Sequence, residues 1–411
     1  MRFRINRKKQ MKSLRELFKI GKGPSSSHTM GPNKAARIFA EHNKGATSFE
    51  VTLYGSLAAT GKGHMTDVAI IEVLEPIAPV TIVWKPSIFL PYHPNGMKFV
   101  ARHDGVPDVE WTVYSVGGGA LEETTPSLLE KETGISPEVY PLNTLTEILD
   151  WCNHHGRGYW EYVNECESSD IWDYLMEVWQ AMKAAVERGL DTEGALPGPL
   201  NLPRKATTYF VKASGYKQSL QSRGLVYAYA LAVSEENASG GTIVTAPTCG
   251  SSGVLPSVLY HMSKGHQFSD TRILHALATA GIFGNVVKQN ASISGADVGC
   301  QGEVGVACAM ASAAACQLFG GSPAQIEYAA EMGLEHHLGM TCDPMCGLVQ
   351  IPCIERNAFA ATRALDSNLY AAFSDGKHRV SFDQVVRVMK QTGHDLPSLY
   401  KETAEGGLAK I

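Results

Sequence analysis

The sequence predicts an α+β N-terminal domain followed by an all-α domain that carries the chemistry. Strand-like runs separated by Gly and Pro turns fill the segment from about 13 to 150 and then nearly vanish. From Ser168 onward apolar residues recur with helical spacing. Seven of the nine cysteines lie after residue 248, so any thiol chemistry belongs to the second half. The expected division is a basic tail over 1–12, an α+β domain over 13–150, a connector over 151–167 and a helical domain over 168–411.

The elements follow in order. A helix is expected over Asn33–Glu41, after a Gly/Pro loop. Phe49, Val51 and Leu53 alternate with polar or smaller residues, which predicts a strand over Ser48–Leu57. Further strands are expected over Val68–Leu74, Val80–Trp84, Lys98–Ala101 and Val109–Val116, the last closed by Gly117, Gly118 and Gly119. Cys152 with His154 and His155 has metal-ligand composition. The three are too bunched for a tetrahedral site, which favours a helix end leading into the connector. The second half predicts helices over Ile171–Arg188, Ser222–Ser234, Gly253–Ser263, Asp270–Val287, Glu303–Leu318, Pro323–Leu334, Pro352–Leu365 and Ser381–Thr392. It shows no internal repeat and no low-complexity segment.

Bulk composition excludes several function classes. With 411 residues, 44% apolar and 19% charged, the chain can bury a large core. A formal net charge of −5 argues against nucleic-acid and anionic-membrane partners. No apolar run approaches the ~18 residues that a bilayer span needs. The basic run Arg2–Lys12 lacks an apolar stretch and so is not a secretory signal; it reads as a solvated tail or as an upstream start ahead of Met11. An odd number of cysteines in a long chain without a signal points to a reducing cytoplasm rather than to a disulfide framework.

Four stretches carry chemistry. Ser25, Ser26, Ser27, His28 and Thr29 crowd hydroxyls and an imidazole ahead of a helix, where hydroxyls and free N–H groups hold carboxylate or phosphate. Ordinary capping needs only one of them. Gly61 and Gly63 flank Lys62 and present His64 at a loop tip; imidazole suits proton transfer near neutral pH. The spacing is not that of a phosphate-binding P-loop. Thr248, Gly250, Ser251 and Ser252 form a second small, hydroxyl-rich loop before a helix, again suited to a carboxylate, though a capped Pro/Gly turn reads the same way. The organising stretch is Lys288–Glu303, a polar run of small residues that becomes an Ala-rich helix, with Cys300 at the junction. The positive end of a helix favours a thiolate there. Lys288 is a plausible electrostatic partner or simply a helix C-terminal cation, and Asn290 is a further substrate-binding candidate.

Cys342, Cys346 and Cys353 make a second cysteine centre. Pro352 near the first helical position puts Cys353 in the first turn of the following helix. Cys300, Cys308 and Cys316 are eight residues apart, so each step drifts roughly 80° around a helix and they share no face. Cys308 and Cys316 therefore read as packing residues. Spacing leaves the ligand set open. A zinc site would need His336 or His337 and usually shows CxxC pairs, which are absent. A thiolate-rich site with three ligands favours an iron–sulfur cluster with one open iron.

Pro24–Thr29, Tyr54–Leu57 with Gly61–His64, Lys288–Ala296 with Gly299–Glu303, and Cys342–Pro344 with Cys353 together resemble the bacterial iron–sulfur-dependent L-serine dehydratases in their single-chain form. The resemblance covers about residue 14 to about residue 395. It implies a 4Fe-4S cluster between the two domains on Cys300, Cys342 and Cys353, with Cys346 a bystander. It also implies that His64 is an active-site residue close to the cluster, that L-serine is the substrate, and that the chain is a homodimer; a base is needed on the Cα side of serine, and His64 is the candidate. Some relatives end in a Cys that tucks into the empty site. This chain ends Ala409-Lys410-Ile411, so that form of self-occlusion is not expected. The rival reading from another class is a non-catalytic cluster or amino-acid sensor, which a fourth protein ligand would favour.

Overall fold

A computed structural model describes residues 10–125, 128–129 and 138–411. Most of the basic tail, residues 1–9, lies outside the described residues. The chain builds two cores, and the expected α+β and all-α halves are both present.

The smaller core belongs to a five-stranded sheet in the order 80–85, 48–54, 96–103, 106–115, 121–122. Strand Ser48–Tyr54 pairs parallel with Val80–Lys85 and antiparallel with Gly96–His103. Its alternation works as expected: Phe49, Val51 and Leu53 are buried. Helix Gly31–His42 covers the sheet and inserts Phe39 among Phe49, Phe99 and Trp111, with ring centroids 5.3–6.2 Å apart.

The run Val68–Leu74, expected as a strand, is instead most of helix Thr66–Leu74. Its apolar residues fit either period, and packing against helix Gly31–His42 decides the matter. Ala69, Ile70 and Leu74 are the positions that go inside.

The larger core is helical, with Ala-rich helix Val306–Leu318 at its centre, almost wholly buried against Asp270–Asn290, Pro323–Glu335 and Cys353–Ala372. Helix Ala206–Ser214, not expected from the sequence, joins it. The boundaries expected between domains shift. Met11, Leu14, Leu17 and Phe18 are fully buried in the helical core, so the second half begins before the first half does. Met11–Lys12 pairs with Glu138–Tyr140, and Ile20–Lys22 pairs with Thr242–Val244. The segment 151–167, expected as a connector, is helical and packed: Leu145–His155 and Tyr159–Cys166 bury Cys152, Tyr159 and Tyr162. His154 and His155 donate to the Asp150 and Trp151 carbonyls, as residues of a helix end do.

Candidate active site

The site forms where the His64 loop meets the cysteine loops. After Ser48–Tyr54 the chain makes a short helix, Gly55–Ala59, and a turn that leads into Thr66–Leu74. A Cβ at Gly63 would strike the Gly347 carbonyl and crowd that of Cys346, so glycine lets this loop touch the cysteine segment backbone to backbone.

His64 is buried. Its Nδ1 pairs with Thr60 Oγ1 at 3.3 Å, and its backbone carbonyl accepts from Thr29 Oγ1 at 2.7 Å. Its Nε2 has no partner among the described residues. His28 crosses it edge-on at 4.5 Å between ring centroids. The two nitrogens of His28 pair with Ser27 Oγ at 2.9 Å and Ser56 Oγ at 3.1 Å. Burial pushes the His28 pKa down to about 3. Burial, and then His28, pushes that of His64 well below the usual histidine value. Both rings are therefore neutral at physiological pH.

A third group, missing from the sequence reading, completes this wall. Glu402 comes from the C-terminal segment, and one carboxylate oxygen lies 3.6 Å from His28 Nδ1 and 3.8 Å from His64 Nδ1. Burial, and then the Glu303 and Cys300 charges, pushes its carboxyl pKa well up.

The cysteines gather beside these groups. Cys300 precedes a wide turn, Gln301–Gly305, that runs into helix Val306–Leu318, and its carbonyl accepts from Val304 N–H at 2.8 Å. This is the junction expected for it. Cys342 is fixed by an exchange with the C-terminal segment: it donates to Tyr400 O and accepts from Glu402 N–H, each at 2.8 Å. Cys353 opens helix Cys353–Ala372. The Cys300 and Cys342 sulfurs and a Glu303 oxygen all lie within 4.8 Å of one another.

The helix start at Cys353 predicts a lowered thiol pKa, but the environment raises it, as it does that of Cys342. For Cys342 the causes are hydrogen bonding to Cys300 and then burial; for Cys353 they are burial and then Cys300. Three thiols in one dry space disfavour more than one negative charge. Burial also works against the charge of Arg356, but the three thiols and Asp343 more than offset it and hold the guanidinium pKa up. A soft, anionic ligand set beside a fixed cation suits a thiolate-bound cluster. Glycine at 295 lets these groups come close: a Cβ there would stand 2.9 Å from Glu303 and 3.1 Å from the Cys342 sulfur.

The remaining expected residues divide. Ser25 caps the turn Ser26–Met30, and both loop residues and His28 are buried. The Thr248–Ser252 loop closes over Glu303. Thr248 pairs with Ser251 at 3.2 Å and with the Glu303 carboxyl, while Gly250 packs against that carboxyl. Burial pushes the Glu303 pKa up to about 7 against the opposing effects of Thr248 and Arg356. Ser252 Oγ is buried without a partner among the described residues, as is Ser294 Oγ.

Lys288 and Asn290 do not join the site. Lys288 Nζ donates to Glu16 O at 2.6 Å, and Asn290 Nδ2 donates to Asn143 O at 2.6 Å and Val286 O at 3.0 Å. Both sit on helix Asp270–Asn290, which ends before the chain turns toward Cys300. Cys346 is exposed and Cys308 and Cys316 are buried in the helical core, as expected. His337 Nδ1 donates to Gly333 O, which leaves it facing its own helix.

A signal for Glu303 exists in the sequence, since it stands three residues after Cys300 at a helix start. Glu402 and Arg356 carry none. No helix of the described residues is long and apolar enough to cross a membrane.

The fold joins a mixed sheet-and-helix region to a largely helical one, with buried cysteines and histidines between them. The family model for the serine dehydratase alpha chain matches residues 35–409, so this chain belongs to that family and is a lyase. It is 41% identical to the L-serine dehydratase of Streptomyces coelicolor, with 97% of this chain and 98% of the relative covered. It is 40% identical to L-serine dehydratase 1 of Escherichia coli (97% and 99% covered) and 36% identical to the L-serine dehydratase of Helicobacter pylori (97% and 98% covered).

Proposed function

We propose that this lyase converts L-serine to pyruvate and ammonia on a 4Fe-4S cluster held by Cys300, Cys342 and Cys353. The observation that carries the reading is the pairing of buried Cys300 and Cys342, with buried Cys353 close enough for its thiol to feel that of Cys300, beside a wall made of His28, His64 and Glu402. The names of relatives aligned over nearly the whole chain support the substrate. A cluster on three thiolates keeps one iron free to act as a Lewis acid on the β-hydroxyl.

The rest falls to the protein. His64, neutral and with Nε2 unpartnered, takes the Cα proton. Thr60 and Thr29 fix its ring and backbone, which holds Nε2 in one direction. The hydroxyls and N–H groups of Ser25–Thr29 and Thr248–Ser252 receive the carboxylate, and the unpartnered Ser252 Oγ supports that role. Burial excludes water until the released enamine tautomerises and hydrolyses. By the same resemblance the chain works as a homodimer in the cytoplasm and loses activity in air.

The test is anaerobic purification, with iron and sulfide counted per chain and pyruvate followed on adding L-serine. About four irons with L-serine-dependent pyruvate is the expected result. A full cluster without turnover would move the assignment to a sensor. Turnover without iron would dismiss the cluster.

A further inference from the structure

We propose that Glu402 is the subsite for the substrate's α-ammonium, and so selects amino acids over hydroxy acids. The inference rests on the amino-acid lyase reading and adds the group that recognises the amine.

The position of Glu402 is set by its backbone. Its N–H donates to Cys342 O at 2.8 Å, and its carbonyl accepts from Ser56 Oγ at 2.8 Å. Its φ is +59°, a left-handed conformation that costs a residue with a Cβ about 1 kcal/mol or more. Two hydrogen bonds, one from each half of the chain, thus hold an unfavourable backbone so that the side chain enters the site. Ordinary packing does not ask for that.

The side chain then lacks a cation. Oε2 is buried with no partner among the described residues. The backbone N–H of Ala296 reaches the carboxylate, but no Lys or Arg of the described residues pairs with it. The two histidines beside it stand beyond hydrogen-bond length, with their Nδ1 atoms turned to Ser27 and Thr60. Arg356 is committed to Thr341 O at 2.7 Å and to Asp343.

A buried carboxyl oxygen that neither a donor nor a cation of the described residues meets is a costly arrangement for a protein to keep. The missing partner arrives with the substrate. Serine brings a carboxylate, a hydroxyl and an ammonium, and the ammonium alone is both cationic and donor-only. The hydroxyl-rich loops supply donors for the carboxylate; Glu402 supplies the acceptor for the amine. A hydroxy acid of similar size would leave Oε2 unpaired, and sites built around a buried polar partner reject analogues that lack it.

The experiment is anaerobic calorimetry on the holoenzyme with two unreactive probes, glycine and glycolate. Glycine carries the ammonium but no hydroxyl to expel; glycolate carries a carboxylate and no amine. Glu402→Gln should weaken glycine binding about 10- to 100-fold, the worth of one charge-assisted hydrogen bond, and change glycolate binding by no more than about twofold. Iron per chain should stay at the wild-type value. Glu402→Asp, which retains the charge on a shorter arm, should fall between wild type and Glu402→Gln. Equal weakening of both probes would make Glu402 a structural residue, and loss of iron would make it a cluster ligand; unchanged glycine affinity, or no glycine binding to the wild type, would also overturn the proposal. Glu402-dependent glycine binding in a protein that does not turn over L-serine would leave the ammonium subsite standing and remove the serine reading.

Discussion

Asn357→Ala removes a buried clamp on the Thr248–Ser252 loop without touching a thiol. Asn357 lies on helix Cys353–Ala372 and is 1% exposed. Its Oδ1 accepts from Gly253 N–H at 3.0 Å, and its Nδ2 donates to Gly250 O at 2.7 Å and Cys353 O at 2.8 Å. The Cys353 carbonyl keeps its helical partner in the variant. Gly253 N–H and Gly250 O lose the partners that Asn357 gave them. Two orphaned buried groups at roughly 1–3 kcal/mol each, less about 0.5 kcal/mol for the better helix propensity of alanine, give a net loss of about 3 kcal/mol. Spread over 411 residues, at about 2.1 cal/mol/K per residue, this is a Tm drop of about 3–4 °C. Calorimetry of the apo protein reads the first quantity. Amide exchange reads the second: protection should fall over residues 246–253 and hold along the helix. In the loaded enzyme KM for L-serine should rise more than kcat falls, because the loop receives substrate. An unchanged Tm with unchanged exchange in the loop would show that the loop stands without this side chain, and the argument would fail.

Three further outcomes follow from the same geometry. Cys342→Ala should lose the cluster, whereas Cys346→Ala should retain it, because Cys346 is exposed; iron per chain separates them, and equal iron in both would refute the ligand choice. His64→Ala should keep iron and substrate binding but lower kcat by about 10²- to 10⁴-fold, the usual worth of a general base, and near-normal turnover would dismiss it from that role. His261 is buried with Nε2 on Ser222 Oγ at 2.9 Å, and burial, then His266, holds its pKa down to about 4. The unfolded chain takes up that proton first, so the stabilisation is whole above about pH 6.5 and fades toward pH 4. It amounts to about 3 kcal/mol. His261→Gln should flatten this limb of the stability curve of the apo protein; parallel curves for variant and wild type would show that His261 titrates normally.

What the sequence reveals depends on how local the cause is. Strand Ser48–Tyr54 and helix Phe382–Asp395 are legible because one face of each alternates or recurs against a core. Val68–Leu74 is not, because its apolar residues, broken only by Glu72, fit either period and only the neighbouring helix settles it. Cys300 is legible from its place at a helix junction. Lys288 and Asn290 mislead for a related reason: they adjoin the cysteine in sequence, but the helix that carries them ends and turns away, leaving their side chains on Glu16 and Asn143. Met11–Phe18 looks like a prelude to the first domain, yet its apolar residues fill the second core. Glu402 has no local signal at all. It reaches the site because a segment 60 residues beyond Cys342 lies back along it, and backbone pairing of that kind leaves no mark in composition.

The same contrast explains why three of nine cysteines meet. Cys308 and Cys316 lie inside a helix packed against other helices, where the Cys308 thiol meets the Ser312 hydroxyl of its own helix rather than another cysteine. Cys346 has a left-handed backbone, φ +54°, and its side chain goes to solvent while its carbonyl faces Gly63. Cys300, Cys342 and Cys353 stand where an element starts or where the chain is pinned by another segment, and there a side chain can leave the core and point into the seam between domains. The helical core alone therefore gathers the thiols, but it supplies no imidazole to this seam. His28 and His64 arrive on the other domain, and the Gly63–Gly347 contact and the Ser56–Glu402 hydrogen bond set how far in they come. A change that parts this seam by an ångström would leave the three cysteines together and separate them from His64, so cluster content and turnover should respond independently to mutations at Gly63.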